Sequence, residues 1–571
     1  MRRPPIGRLV ALLCIMALAL GAIFVRLTVL QVSQAADLRD RAANQRVRTI
    51  ALPAQRGEIL DRSGERLALS LPAQDVYADP RYVVDAWAAA NELAPLLGED
   101  PLRLLDALTS DTTFVYLGRQ VDLDVAERIR ALDLPGIGFL DSSARAYPAG
   151  YLAAQVLGFV GVDGGGLAGL ELQYQRLLAG TPGERVQELD PYGKPIAGGV
   201  DVERPPVAGS SIVTTLDREL QFQAEAALAD AVTAQRARGG TVVVMEVGTG
   251  DVLAMASYPW FDPNEFDAAK PGTYRNRAVT DAFEPGSTNK VITAAAAVQE
   301  RALPLDEVLT VPWTMRVDGF TIHDAHPHGE LRMTLGDIIA ESSNIGAVQV
   351  ANRIGQTTMA AYLARFGLGR ETGIDFPGES AGIIQPLFRW TEATLATVAY
   401  GQGVAATPLQ MLSVYATIAN RGRWVQPRLV GATVGPDGTV RPVPDAPTRR
   451  VISAASARTV TEMLVYAVEH GTGGNARIPG YQVAGKTGTA RIPDPDRPGY
   501  LEGQYVASFI GFLPAGRPEV VVAAILDRPA QGYGGLAAAP LFQRVARAAI
   551  SRLAIEPAAP VGSPPHVLPV R

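Results

Sequence analysis

Ser287 and Lys290 stand three residues apart, after Glu284-Pro285-Gly286 and at the start of the apolar run VITAAAAVQ. Pro and Gly mark a turn into a helix, and this spacing puts the hydroxyl and the amine on one face, a turn apart. A serine beside a neutral amine can be deprotonated to a nucleophile. Burial and a neighbouring positive charge lower an amine's pKa enough to keep it neutral. Ser342-Ser343-Asn344 lies in a second helical region, opened by the capping pattern Thr334-x-x-Asp337. Lys486-Thr487-Gly488-Thr489 follows the strand-like YQVAG. A glycine there lets another backbone approach closely, and the Thr489 amide can point at a substrate carbonyl. Singly, each pattern is weak. Ser287-x-Asn289 also reads as Ser-x-Asn. A helix cap with a surface lysine, a polar pair inside a helix, or a charge at a strand end would look the same.

Lysine usage sharpens the reading. Of 52 basic residues only Lys194, Lys270, Lys290 and Lys486 are lysine; the others are arginine. Arginine keeps its proton in a protein, whereas lysine can be tuned into a base. Lys194 and Lys270 sit in Gly/Pro-containing loops and read as solvated charges. Lys290 and Lys486 are the two that fall in motifs.

A chain of 571 residues is too long for one ordinary domain, and 47% hydrophobic with 19% charged residues can build real cores. A net charge of −6 with no long basic run argues against a nucleic-acid binder. The one cysteine, Cys14, excludes an intramolecular disulfide and multi-cysteine metal sites. Residues 9–32 form an apolar stretch broken only by Arg26, long enough to approach the thickness of a hydrocarbon core of about 30 Å. Arg2, Arg3 and Arg8 place residues 1–8 on the cytoplasmic side. Ser33-Gln34-Ala35 loosely resembles a signal cleavage site, but the stretch is too long for one and Arg26 sits where it should end.

Residues 33–50 read as a polar helix leaving the membrane. The segment RGEILDRSG reads as a strand and a turn, and residues 204–209 as a linker. Beyond it, Asp217 is a candidate N-cap for a helix running to about Ala237. Thr241–Val247 and Asp251–Ser257 alternate around Gly248-Thr249-Gly250 as a hairpin. A second hairpin falls over Val506–Leu513 and Glu519–Leu526, and a closing helix over Pro540–Leu553, with helices filling roughly 288–470. Strands at both ends of a domain with helices between predict an α+β fold, an antiparallel sheet joined from both termini and covered by helices. The expected organisation is an anchor (9–32), a non-catalytic α/β pedestal (33–205), a catalytic domain (207–555) and a disordered Pro/Ala-rich tail (556–571).

In this order the three motifs resemble those of the penicillin-binding, serine D,D-transpeptidase and β-lactamase superfamily. RGEILDRSGERLALS, GLAGLELQYQRLLAGTPG, RNRAVTDAFEPGSTNK, YGQGVAATPLQM, VAGKTGTA and YVASFIGFLP are similar to signatures of class B penicillin-binding proteins, and they run from the anchor to about residue 550. Asn344 resembles the division-specific members; elongation-specific ones usually carry Asp there.

The resemblance implies a peptidoglycan D,D-transpeptidase. Ser287 would attack the penultimate D-Ala carbonyl of a stem pentapeptide, and Lys290 would accept the serine proton. Ser342 and Lys486 would relay that proton to the departing amine. Asn344 would hold substrate and Lys290, and Thr487, Gly488 and Thr489 would bind substrate along the strand. The amides of Ser287 and Thr489 would form an oxyanion hole. The resemblance also implies β-lactams as covalent inhibitors, no cofactor, and no metal in the loop HDAHPHG. That loop carries His323, His326, His328 and Asp324 and is expected near the cleft. Implied partners are a SEDS-family glycan polymerase and other division-complex membrane proteins, with no nucleic acid. The implied place is the inner membrane, with a periplasmic catalytic domain at the septum. A β-lactamase would need a deacylating Glu in an E-x-x-L-N context, and the chain has no Leu-Asn dipeptide. A drug sensor would carry several spans, and an inactive scaffold would have lost motif residues.

Overall fold

The computed structural model describes residues 6–35, 47–188, 196–497 and 499–566. The chain forms two compact units: residues 1–55 with 180–208, and residues 56–179 with 209–571. The first holds helix α1, Ile6–Thr28, which continues as a π-helical turn over Val29–Ser33. Within these 28 residues an 18-residue stretch has a mean hydropathy of 2.5, and the helix can cross a membrane by length and composition. The polar helix expected over 33–50 fails at its far end. Residues 36–46 lie outside the described residues, and Val47–Leu52 is a strand paired antiparallel with Gly183–Glu188, which in turn pairs with Asp201–Arg204. Interstrand hydrogen bonds along Val47–Leu52 outweigh the helical preference suggested by the charged residues before it. Lys194 also lies outside the described residues.

The second unit contains all three motifs. Its helices named below are α2 (Arg218–Ala234), α3 (Lys290–Glu300), α4 (Leu335–Glu341), α5 (Asn344–Ile354), α6 (Pro408–Ala419), α7 (Ala454–Glu469) and α8 (Gly534–Leu553). The strands are β1 (Gly239–Glu246), β2 (Val252–Tyr258), β3 (Ala484–Pro493), β4 (Tyr500–Leu513) and β5 (Val520–Asp527). They form one antiparallel sheet in the order β2-β1-β5-β4-β3, so strands from both ends of the domain meet as expected. Side chains alternate between its faces. Val242, Val244, Val522 and Ala524 pack with Leu220 and Ala224 of α2 and Phe542 and Val545 of α8. Val243, Met245, Val521 and Ala523 face the core that contains α3 to α7. Asp217 caps α2 by accepting from the Leu220 amide. Helix α8 starts at Gly534, six residues before the expected Pro540, and carries that proline inside it.

The linker expected at 204–209 does not separate two independent sheets. Ile59–Leu60 pairs in parallel with Ser211–Thr214, and that strand pairs antiparallel with Val430–Val434. The RGEILDRSG segment is a buried polar knot here. Arg56 donates to Glu171 Oε2 at 2.7 Å and to Gln175 Oε1 at 2.7 Å, and Arg145 donates to Glu171 Oε1 at 2.7 Å. Glu171 is fully buried, so removing either arginine would leave one of its two oxygens without its cationic partner in the interior.

The tail expected to be disordered stays packed on the second unit as far as it is described. Val561 exchanges hydrogen bonds with the Gln482 side chain, and Thr334 Oγ1 donates to the Pro565 carbonyl at 2.8 Å. The His566 ring lies 5.0 Å from that of Tyr466. Proline fixes the backbone in advance, so an extended Pro-rich strand loses little entropy on docking.

Glu225 on α2 accepts from the Ala153 amide at 2.8 Å and from Gln221 at 2.7 Å, while its Oε2 is buried without a partner. Burial pushes this carboxyl up to about 7. The folded pKa exceeds the unfolded one, so the group's contribution is full below the unfolded carboxyl pKa and is lost as pH rises through about 7. Glu225→Gln cannot ionise. It is expected to raise stability by about 1–3 kcal/mol at pH 8, with no gain at pH 4, in thermal melts at both pH values.

Candidate active site

Pro285–Lys290 turns into α3, and the first two turns of that helix are buried all round. A helix with no solvent face must bury whatever polar group its sequence carries. Lys290 is that group: it is 0% exposed, and its Nζ lies 3.1 Å from Ser287 Oγ, the partly exposed end of the pair. Nζ also lies 2.8 Å from Asn344 Oδ1 and 3.3 Å from Ser342 Oγ, and it donates to the Ser342 carbonyl. The Asn344 amide is fixed the right way round because its Nδ2 donates to the His323 carbonyl at 3.0 Å. A neutral amine has two N–H groups and one lone pair. The Ser342 carbonyl and Asn344 Oδ1 take the two donors, which leaves the lone pair facing the Ser287 hydroxyl. Burial, reinforced by the charge of Lys486 and opposed by Asp324, holds the Lys290 amine well below the ordinary lysine range.

Ser342-Ser343-Asn344 is a break between two helices, not the interior of one. Ser342 ends α4 with φ +63°, Ser343 caps α5 by accepting from the Gly346 amide, and Asn344 opens α5. A non-glycine residue held in the left-handed region is strained, and such strain gathers at functional sites. The Thr334–Asp337 capping box at the start of α4 is present as the sequence implied. Asn289, the other Ser-x-Asn match, turns away and donates to the Val398 carbonyl at 2.8 Å.

Lys486 is buried on β3, the outermost strand of the sheet. Its Nζ lies 3.2 Å from Thr487 Oγ1 and 3.4 Å from Thr472 Oγ1, and burial pushes it down to about 7 against the pull of Glu341. Thr489 Oγ1 accepts from the Gly534 amide at 3.1 Å. Gly488 is where β3 meets the serine turn: a Cβ there would lie 2.9 Å from Thr288 Cγ2 and 3.0 Å from the Pro285 carbonyl. Ser287, Lys290, Ser342, Asn344, Lys486, Thr487, Gly488 and Thr489 are therefore brought to one end of the sheet. The arrangement can take a proton from Ser287 onto Lys290 and keep a second, separately tuned amine nearby.

The histidine loop reaches this site through Asp324. His328 Nε2 lies 3.1 Å from Asp324 Oδ2, His323 Nδ1 lies 2.9 Å from the Asp324 carbonyl oxygen, and His326 packs near Tyr533. Asp324 is the residue that sequence reasoning missed. Its carboxylate accepts from the amides of Asn344 and Ile345 and from the Ser343 hydroxyl, holding the start of α5. No sequence signal joins residues twenty apart across a loop. Thr472 and Glu284 were missed for the same reason; Glu284 Oε1 accepts from the Gly403 amide at 2.8 Å and ties the serine turn to the 400–404 loop.

Asp324→Ala is expected to slow β-lactam acylation at least about tenfold by freeing Asn344, and to lower stability by about 1–3 kcal/mol. Asp324→Asn, an equally good cap, should recover much of both. Stopped-flow acylation paired with thermal melts would measure the two effects; equal losses in both variants would mean the charge matters, not the cap.

Comparison with known proteins agrees with this geometry. Residues 240–547 match the family described as penicillin binding protein transpeptidase domain, and residues 51–214 match the penicillin-binding protein dimerisation domain. The chain belongs to the class B penicillin-binding proteins, which pair these two domains. It is similar to penicillin-binding protein PbpB of Mycobacterium tuberculosis, at 39% identity over 94% of this chain and 84% of that one. It is similar also to peptidoglycan D,D-transpeptidase FtsI of Escherichia coli, at 35% identity over 96% of this chain and 92% of that one. Among solved structures, penicillin-binding protein 3 of Mycobacterium tuberculosis complexed with aztreonam matches with a TM-score of 0.72 and 33% identity, covering 90% of this chain and all of that one.

Proposed function

We infer that this chain is a membrane-anchored serine D,D-transpeptidase that cross-links peptidoglycan stem peptides and is acylated by β-lactams. The observation that carries the reading is the Ser287–Lys290 pair, with the amine buried and its two donors already spent on Ser342 and Asn344. Ser287 Oγ attacks the penultimate D-Ala carbonyl as its proton passes to Lys290. The C–N bond to the terminal D-Ala then breaks, and the proton reaches that amine through Ser342 with Lys486 nearby. This leaves an acyl-serine, which an amine on a second stem peptide attacks to form the cross-link. Asn344 and the β3 residues Thr487, Gly488 and Thr489 hold the donor strand, with the amides of Ser287 and Thr489 as oxyanion donors.

Asn344, in place of Asp, supports septal over lateral wall synthesis. The same reading places the catalytic unit in the periplasm at the division site, beside a SEDS-family polymerase that supplies the glycan strands. The region 36–205 lacks a nucleophile–base pair, which supports a role in docking partners. The organisation that goes with it is an anchor over 9–32, a pedestal to 205 and a catalytic domain over 207–555.

The test is to treat the detergent-solubilised full chain with a fluorescent penicillin and map the adduct by peptide mass. Labelling should sit on the peptide containing Ser287 and persist for many minutes. The same preparation should join pentapeptide glycan strands made by a polymerase. An adduct on another residue would overturn the reading, and rapid release of hydrolysed drug would favour a β-lactamase.

A further inference from the structure

Away from the catalytic cleft, the helix Gln356–Phe366 ends at Gly367 beside the strand pair Arg423–Val425 and Thr448–Arg450. In a chain of net charge −6 this region gathers Arg365, Arg370, Arg421, Arg423, Arg449 and Arg450. Among the described residues none of the six reaches a carboxylate. Arg370 donates to the Ala364 carbonyl, Arg423 to Thr448 Oγ1, Arg449 to the Arg365 carbonyl and Arg450 to the Arg421 carbonyl. Unpaired guanidinium groups kept close together repel one another, so their clustering calls for an anion.

Two of the six, Arg370 and Arg449, line a cavity of about 210 Å³ together with Gly367, Glu371, Ser413 of α6 and Trp424. The Arg449 guanidinium lies over the Trp424 ring at 4.4 Å, which fixes its plane, and its Nη2 is buried without a partner. The indole N–H opens onto the same space. A Cβ on Gly367 would lie 3.3 Å from Arg449 Nη2 and 3.6 Å from Trp424 Nε1, so the bare glycine leaves both donors a common target. Burial and the charge of Arg370 push the Arg449 guanidinium down to about 10, the mark of a cation that lacks its counter-ion. Donors on three separate side chains suit an oxyanion with three or more oxygens better than a planar carboxylate with two.

We propose that Arg449, Trp424 and Arg370 form a binding site for a small phosphate-class oxyanion above Gly367, separate from the transpeptidase centre. Glu371, the carboxylate in the lining, limits how much negative charge the site accepts. A free phosphate or a diphosphate headgroup would present the same chemistry.

Thermal shift and ³¹P line broadening on the full chain in detergent, at fixed ionic strength, would test this with inorganic phosphate, inorganic diphosphate and acetate as probes. Phosphate should bind saturably and acetate much more weakly; the stronger of phosphate and diphosphate identifies the source. Arg449→Gln should weaken phosphate binding at least about tenfold, the scale of a lost charge-assisted hydrogen bond. Trp424→Phe, which keeps the stack and removes the N–H, should weaken it as well, and Glu371→Gln should tighten it. β-Lactam acylation should be unchanged in all three. If Arg449→Gln fails to fold because Arg365 loses its partner, the other two variants decide. Binding no stronger than to acetate, or indifferent to these variants, overturns the site.

Discussion

Lys290→Arg is expected to slow β-lactam acylation at least about a hundredfold, the scale of lost general-base catalysis. The Lys290 amine is buried with its two donor directions occupied, so a lone pair is left for Ser287. A guanidinium offers no lone pair and does not give up its proton in a protein. Lys486 has a different task on β3: it supplies charge beside Thr487 and depresses the Lys290 pKa. Arginine keeps that charge, so Lys486→Arg should retain measurably more activity. The pH profile separates the two roles. Acylation should rise as Lys290 loses its proton, below the ordinary lysine range, and fall as Lys486 loses its own near 7. Lys486→Arg should remove the falling limb, because arginine does not titrate there. Stopped-flow acylation with a chromogenic β-lactam, on variants shown to be folded, would measure both. A nearly active Lys290→Arg would mean another group takes the serine proton.

Gly488→Ala is the second large effect expected, again about a hundredfold or more on acylation, with a smaller loss of stability. Its Cβ would sit 2.2 Å from Ser508 Oγ, 2.9 Å from Thr288 Cγ2 and 3.0 Å from the Pro285 carbonyl. The hydroxyl can rotate aside, but the Pro285 backbone cannot, so β3 and the serine turn must separate by several tenths of an ångström. That displacement acts on the alignment of Ser287 with the strand that would hold the substrate. Ser508→Gly in the same chain should restore only part of the rate. Full restoration would show that the side chain, not the backbone approach, sets the geometry.

Much of the sheet and of the Ser287–Lys290 pair is legible in the residues alone. The first hairpin is read from alternation around Gly248-Thr249-Gly250, the second from two runs flanking a Pro514–Pro518 turn, and α2 from its Asp217 cap. The pair is legible because helical spacing alone fixes Ser287 against Lys290. The hidden features depend on tertiary contact. Ser342 could not be read as left-handed, because nothing local says where α4 must stop. Asp324 looked like a companion of three histidines, yet it caps α5 from across a loop. Val47–Leu52 became a strand because its partner lies more than 130 residues downstream, at Gly183–Glu188. The tail reads as disordered from its prolines, yet it carries defined hydrogen bonds because Thr334 and Gln482 offer partners that composition cannot reveal.

The parallel pairing of Ile59–Leu60 with Ser211–Thr214 has a practical meaning for anyone who wishes to cut the molecule. A proteolytic nick between residues 205 and 209 should leave the fragments associated, because the ladder crosses the nick. Expression of residues 207–571 alone would lay bare one side of Ser211–Thr214, and an exposed strand edge invites pairing with other chains. The catalytic unit is then a poor candidate for separate crystallisation or for grafting onto another anchor. The smallest piece that satisfies its own backbone begins near Val47, where the strand paired with Gly183–Glu188 starts, well upstream of the first motif.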